Sequence, residues 1–116
     1  GGRVEFNESV PSAIARELRE ELGGEALPVR YVSSVEHSFE DGHLYHEINH
    51  VFLLELRNIQ YPRRPSARER HLEFLWWPQE RLQEASAYLL PCRVAELCER
   101  FLKTGEAGAW LTELTA

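Results

Sequence analysis

Val10, Ile14, Leu18 and Leu22 recur at every fourth position and run straight into Gly23-Gly24. That spacing draws one apolar stripe along an α-helix. A glycine pair just past the last turn is where such a helix stops. Ser9 ahead of it is a natural N-cap, so the sequence predicts a helix over residues 10–22. Glu17, Glu20 and Glu21 fall at i, i+3 and i+4 of that helix, and their carboxylates share a face beside the stripe. Like charges at this spacing repel by about 0.2–0.5 kcal/mol per pair. A divalent cation reverses that cost, since magnesium, manganese and calcium prefer clustered oxygen ligands. Taken alone, three such glutamates also make an ordinary solvated acidic face. The residues before the helix decide between the two readings.

Those residues read Gly2, five positions, Glu8, seven positions, Arg16-Glu17-Leu18, one position, Glu20-Glu21, one position, Gly23. This resembles the Nudix box, G-x5-E-x7-R-E-U-x-E-E-x-G-U, with U a bulky apolar residue. Every fixed position matches except the last, where Gly24 stands in the apolar place, a change expected to cost packing at the helix end. The resemblance implies a metal site made by Glu17, Glu20, Glu21 and the carbonyl of Gly2, with Mg2+ or Mn2+ as cofactor. It implies that Arg16 pairs with Glu8 and locks the loop onto the helix, in support of the site. Asn7 sits where many family members have glycine, and asparagine tolerates positive φ better than most residues. Arg16 leaves the helix about 100° from Glu17, so it is expected to reach the loop while Glu17 faces the metal.

The resemblance also implies an α+β (mixed α/β) fold, a mixed β-sheet sandwiched between helices, in one domain over residues 1–116. Strands that precede the box in the family have no counterpart ahead of Gly1, so the domain reads as incomplete at its N-terminus. Later segments fit the family more loosely and in the expected order: Phe39-Glu40-Asp41-Gly42 with His46-Glu47-Ile48, then Leu75-Trp76-Trp77-Pro78-Gln79-Glu80-Arg81-Leu82, then Leu89-Leu90-Pro91. The implied reaction is water attack on phosphorus in a nucleoside diphosphate linked to another moiety. The general base would be a box glutamate or a carboxylate before Trp76, with Glu73 and Glu69 as candidates. A Nudix-fold binding or regulatory module without turnover is the alternative.

The remaining chain supports this outline. Strand-like runs at Val29–His37 and Leu44–Arg57 flank an Asp41-Gly42 turn and predict a hairpin. Residues 58–70 are polar with two prolines and read as a loop. A strand at Leu72–Trp77, a short helix at Gln79–Ala85 and a helix at Pro91–Lys103 follow, the last with Val94, Leu97 and Phe101 on one face. The tail from Glu106 has no clear assignment. Trp76 and Trp77 cannot both face inward on a strand. One of them meets another element, a partner chain or solvent, which leaves a homodimer open.

A second motif competes with the first. His46-Glu47-Ile48-Asn49-His50 matches H-E-x-x-H, which on a helix puts two histidines on one face for zinc and makes the glutamate the base of a peptidase. Here it follows a turn and runs into Val51-Phe52-Leu53-Leu54, a strand-like sequence. In a strand Glu47 points away from both histidines, which sets the zinc reading aside. Tyr31, Phe39, Tyr45 and Trp76 could stack on a base, though aromatics in strands more often pack. Arg63, Arg64, Arg68 and Arg70 could bind phosphate, but a solvated loop is the plainer account.

The net charge of −6 argues against binding bulk nucleic acid, which requires surplus cations. It leaves room for a small nucleotide whose charge a metal offsets. No apolar run is long enough for a membrane span. Cys92 and Cys98 lie in a predicted helix, about 9 Å apart along its axis, too far for a disulfide. Free thiols suit the cytoplasm.

Overall fold

Helix α1 spans Val10–Leu22, as the four-residue apolar repeat predicts. Ser9 caps it, its hydroxyl accepting from the Ser12 N–H at 3.2 Å. At the other end Gly23 takes φ 66° and returns its N–H to the Arg19 carbonyl at 3.0 Å. That left-handed backbone conformation, which glycine adopts at little steric cost, ends the helix. The computed structural model describes residues 2–64, 73–88, 91 and 93–114.

Two strands form the predicted hairpin: β1 at Ala26–Glu40, longer than the predicted Val29–His37, and β2 at Leu44–Leu56, which stops one residue short of the predicted Arg57. Gly42 turns the chain at φ 71°, and the Asp41 N–H meets the His43 carbonyl at 2.9 Å. A 3-10 helix, Gln79–Ala87, is broken at Arg81, and helix α2 covers Val94–Thr104. The unassigned tail supplies strand β3, Ala109–Thr112. It pairs parallel to β1, from Ser33 opposite Ala109 to Glu36 opposite Thr112. The described sheet is three-stranded in the order β2-β1-β3, and it is mixed because β2 returns along β1 while β3 runs with it.

The chain divides into two compact units, Gly1–Val29 with Leu54–Trp76, and Arg30–Leu53 with Trp77–Ala116. In the second unit Val32, Val35, Ala85, Ala95, Leu97 and Phe101 are buried. Leu97 and Phe101 are two of the three residues predicted to share the inner face of α2. Full burial of side chains this size stabilises by about 1.5–3 kcal/mol each. The Arg30 guanidinium lies 4.9 Å over the Phe101 ring and donates to the Gly105 carbonyl, tying β1 to the end of α2.

Residues 73–77 form no strand, contrary to the expectation for Leu72–Trp77, whose first residue lies outside the described residues. The two indoles are held by side-chain bonds in place of a ladder. Trp76 Nε1 donates to the Arg63 carbonyl and Trp77 Nε1 to the Arg81 carbonyl, each at 2.8 Å. Helix α2 begins at Val94, and Cys92 lies outside the described residues. Burial pushes the Cys98 thiol up, which keeps it protonated.

Candidate active site

The loop before α1 is built on itself. The Glu8 N–H donates to the Glu5 carbonyl and the Glu5 N–H to Glu8 Oε1, each at 3.1 Å. Asn7 sits inside this turn at φ 66°, the conformation expected of it in a glycine's place.

Arg16 fastens that turn to the helix. Its Nε donates to Glu8 Oε2 at 2.8 Å and its Nη2 to Glu8 Oε1 at 3.0 Å, the two-point grip that a planar guanidinium makes on a carboxylate. Nη2 also donates to the Arg3 carbonyl at 2.8 Å. The hydrogen bond from Arg16 holds the Glu8 carboxyl below the usual range, helped by the Glu5 backbone. The same contact, with lesser help from Glu17 and Glu5, raises Arg16 above the usual guanidinium range. The loop-to-helix pair implied by the resemblance is therefore present.

One expectation needs correction. Arg16 does not serve the loop alone, because its Nη1 donates to Glu17 Oε1 at 2.9 Å and Glu20 Oε2 at 3.3 Å. Helix neighbours diverge at Cα, but a long side chain folds back far enough to meet both carboxylates. Glu5 Oε1 stands 3.7 Å from the same nitrogen, a participant that the sequence reading missed. Glu5 lies three residues before Glu8, a turn spacing that could have drawn attention to it.

Gly2 explains itself by what it touches. A Cβ built on its backbone would stand 2.0 Å from Glu17 Cδ and 2.3 Å from either carboxylate oxygen. A side chain at this position would displace the Glu17 carboxylate, the far end of a flexible side chain. Gly24 is different from what was expected. Its position is buried, and a Cβ there would meet Leu22 Cδ1 at 2.5 Å and Ile59 Cδ1 at 3.0 Å. A larger residue at this position would require these two side-chain ends to shift.

Glu17, Glu20 and Glu21 carry carboxylate oxygens, the donor type that hard divalent cations take. Among the described residues no three His, Cys, Asp or Glu side chains converge into a metal-holding group. Glu17 and Glu20 are turned toward the guanidinium. Glu73, proposed as a base, accepts from Arg64 Nη2 at 2.8 Å and is largely exposed. Glu69, Arg68 and Arg70 lie outside the described residues.

The H-E-x-x-H segment lies in β2, where exposure alternates from Leu44 to Val51. His46 Nε2 meets Glu36 Oε2 at 2.9 Å, His50 Nδ1 meets Ser34 Oγ at 2.8 Å, and Glu47 meets His37 Nε2 at 3.3 Å. Each member of the motif thus has a different partner. Of the aromatics, Tyr31 packs edge-on to Phe52, Phe39 stacks on Tyr45, and Trp76 meets Tyr61.

A protein of Proteus vulgaris named 8-oxo-dGTP diphosphatase is 32% identical to the chain over 72 residues. The match takes in 62% of this chain and 62% of that relative's length. The model of the NUDIX domain family matches residues 1–93, a span that includes the glycine cradle, the Arg16 lock, α1 and the whole hairpin. The chain belongs to the Nudix domain family.

Proposed function

We propose that the chain is a Mg2+- or Mn2+-dependent pyrophosphohydrolase that cleaves a phosphoanhydride bond in a small nucleotide. The observation that supports this reading is the two-point grip of Arg16 on Glu8, which joins the loop bearing Gly2 to the helix bearing Glu17, Glu20 and Glu21. Gly2, Glu17, Glu20 and Glu21 would hold the cation. A bound divalent cation offsets phosphate charge and makes water a better nucleophile.

The chain's own residues supply the rest. Arg16 and Glu8 fix the loop that carries Gly2, so the cradle keeps its shape without substrate. Glu17, with its side chain 19% exposed, offers an oriented carboxylate, while Glu20, at 56%, stands open to solvent. Phosphorus is attacked by water, the P–O bond on its far side breaks, and the water's proton passes to a carboxylate. A box glutamate or Glu73 takes that proton. The name of the Proteus vulgaris relative, 8-oxo-dGTP diphosphatase, makes an oxidised purine nucleoside triphosphate the first substrate to try. The free Cys98 thiol suits a reducing compartment such as the cytoplasm.

The test is a panel of nucleoside triphosphates, dinucleotides and nucleotide sugars, 8-oxo-dGTP among them, each incubated with Mg2+, Mn2+ or chelator. Metal-dependent release of a nucleoside monophosphate from at least one compound supports the reading. Saturable nucleotide binding with no product under any condition would identify a binding module in its place.

A further inference from the structure

Glu36 and His37 are neighbours on β1 and so face opposite sides of the sheet. Each makes contact with β2 and with β3 or the residue after it. On one side Glu36 Oε2 meets His46 Nε2 at 2.9 Å, and Glu36 Oε1 accepts from Thr112 Oγ1 at 3.0 Å. On the other side His37 Nε2 lies 3.3 Å from Glu47 Oε2, and its Nδ1 lies 4.0 Å from Glu113 Oε2. The His37 ring is buried, with the Phe39 ring 5.4 Å away between centroids. Behind it the Glu113 N–H donates to the Glu36 carbonyl at 2.8 Å, just past the last paired residue of β3. We propose that His37 is a pH-sensitive latch for strand β3: its imidazolium ties Glu47 to Glu113 and holds the end of β3 on β1, and the neutral ring lets that end go.

The proposal uses no residue of the Nudix box and does not depend on the metal-dependent reading. An ionised carboxylate only accepts, and a neutral imidazole carries one N–H. Between two carboxylates the neutral ring donates to one and turns a lone pair on the other, whereas the imidazolium offers an N–H to each. Strand β3 is sensitive to that difference because it has four residues and one neighbour in the described sheet. The charged groups around the ring are Glu47 from β2, Glu113 after β3, and Arg93 beside the start of α2. The Arg93 N–H donates to Glu113 Oε1 at 3.3 Å, and its guanidinium holds Glu96, which Arg100 also approaches at 3.8 Å. A main-chain N–H does not titrate, so it orients Glu113 in either state of the ring. The Glu36 side of the sheet needs no imidazolium, since a neutral His46 still has an N–H to donate. The latch is therefore closed between the ordinary carboxylate range, about 4.3, and the ordinary imidazole range, about 6.5. It opens as pH rises through the latter.

Amide hydrogen exchange of the whole chain, followed by NMR at about pH 5.5 and about pH 8 on either side of the imidazole range, tests this. The Glu113 N–H reports the latch, and the Leu97 N–H, bonded to the Arg93 carbonyl within the α2 region, is the reference. After correction for intrinsic exchange, Glu113 protection should be about tenfold lower at the higher pH, the scale of losing one hydrogen bond to a charged group. Leu97 protection should hold. His37→Gln and Glu113→Gln should both abolish the difference, and His46→Ala should keep it. Glu113→Gln changes a partly exposed side chain, so it decides the matter even where the buried His37→Gln fails to fold. Equal Glu113 protection at both pH values would overturn the latch. So would a difference that survives Glu113→Gln, one that disappears in His46→Ala, or an equal loss at Leu97.

Discussion

Arg16 grips Glu8 through both carboxylate oxygens, at 2.8 and 3.0 Å, from eight residues away. The pair joins the loop that carries Gly2 to the helix that carries the glutamates, so it sets the geometry between them. A two-point grip is more specific than a single ion contact. Arg16→Ala is expected to lower Tm by several degrees. Arg16→Lys recovers part of the loss, keeping the charge without the planar fork. Circular dichroism melts of the three proteins decide the matter. An Arg16→Ala protein that melts like the wild type would remove the lock from the account.

The same pair gives the acid response a direction. The folded-state pKa of Glu8 is depressed below its ordinary value, about 4.3. Its stabilisation is therefore complete above that value and is lost as pH falls through the depressed one. Glu36, Glu96 and Glu99 shift in the same direction, each chiefly through its hydrogen bond to His46, Arg93 or Lys103. Thermal stability should fall on acidification below the ordinary carboxylate range. Glu8→Gln should flatten part of that fall, and Tm against pH for both proteins measures it. Parallel curves would mean that Glu8 contributes nothing to the acid limb.

Gly2→Ala tests the cradle with one methyl group. The added carbon would overlap the Glu17 carboxylate, so either the loop or Glu17 must shift. The turn at residues 5–8 and the Arg16 lock do not depend on that contact, so the fold should persist. Mn2+ affinity should fall by about tenfold, the lower end of what disturbing a ligand's support costs. Calorimetric titration checks this, and unchanged affinity would show that Gly2 plays no part in holding a cation.

His46→Ala and His50→Ala should leave metal content and activity near wild-type levels, because Glu47 faces away from both histidines toward His37. Elemental analysis of the purified proteins is sufficient. One equivalent of zinc in the wild type, lost in either variant, would restore the peptidase reading.

What could be read from the sequence was mostly local. Helix α1 came out residue for residue because its apolar period, its serine cap and its terminal glycine all lie within one short segment. The hairpin was visible because Asp41-Gly42 marks its turn. Strand β3 was not, since Ala109–Thr112 is four residues long and becomes a strand only by pairing with Ser33–Glu36, 76 positions earlier. Nothing local records such a pairing. The expected strand at Leu72–Trp77 failed for the opposite reason. A run rich in tryptophan looks strand-like, yet these indoles bond to main-chain carbonyls at Arg63 and Arg81.

The site was legible to a similar depth. The Arg16–Glu8 pair followed from its spacing and the family resemblance. The contact of Nη1 with Glu17 and Glu20 did not, because residue spacing fixes where a side chain leaves the helix but not how a long one folds back. The role of Glu73 also depends on tertiary placement. In the structure its partner is Arg64, nine residues earlier in the sequence.

The central claim is that the box carboxylates hold the cation on which turnover depends. The most direct measurement is the rate of nucleotide hydrolysis against Mg2+ concentration, for the wild type and for Glu20→Gln, on the best substrate of the panel. The account predicts that the wild-type rate saturates with Mg2+ and vanishes with chelator. Glu20→Gln should be slower by about a hundredfold, the scale of losing one preorganised electrostatic contact, and excess Mg2+ should restore little of it. A Glu20→Gln protein that reaches the wild-type rate at saturating Mg2+, or a wild type equally fast in chelator, would contradict it.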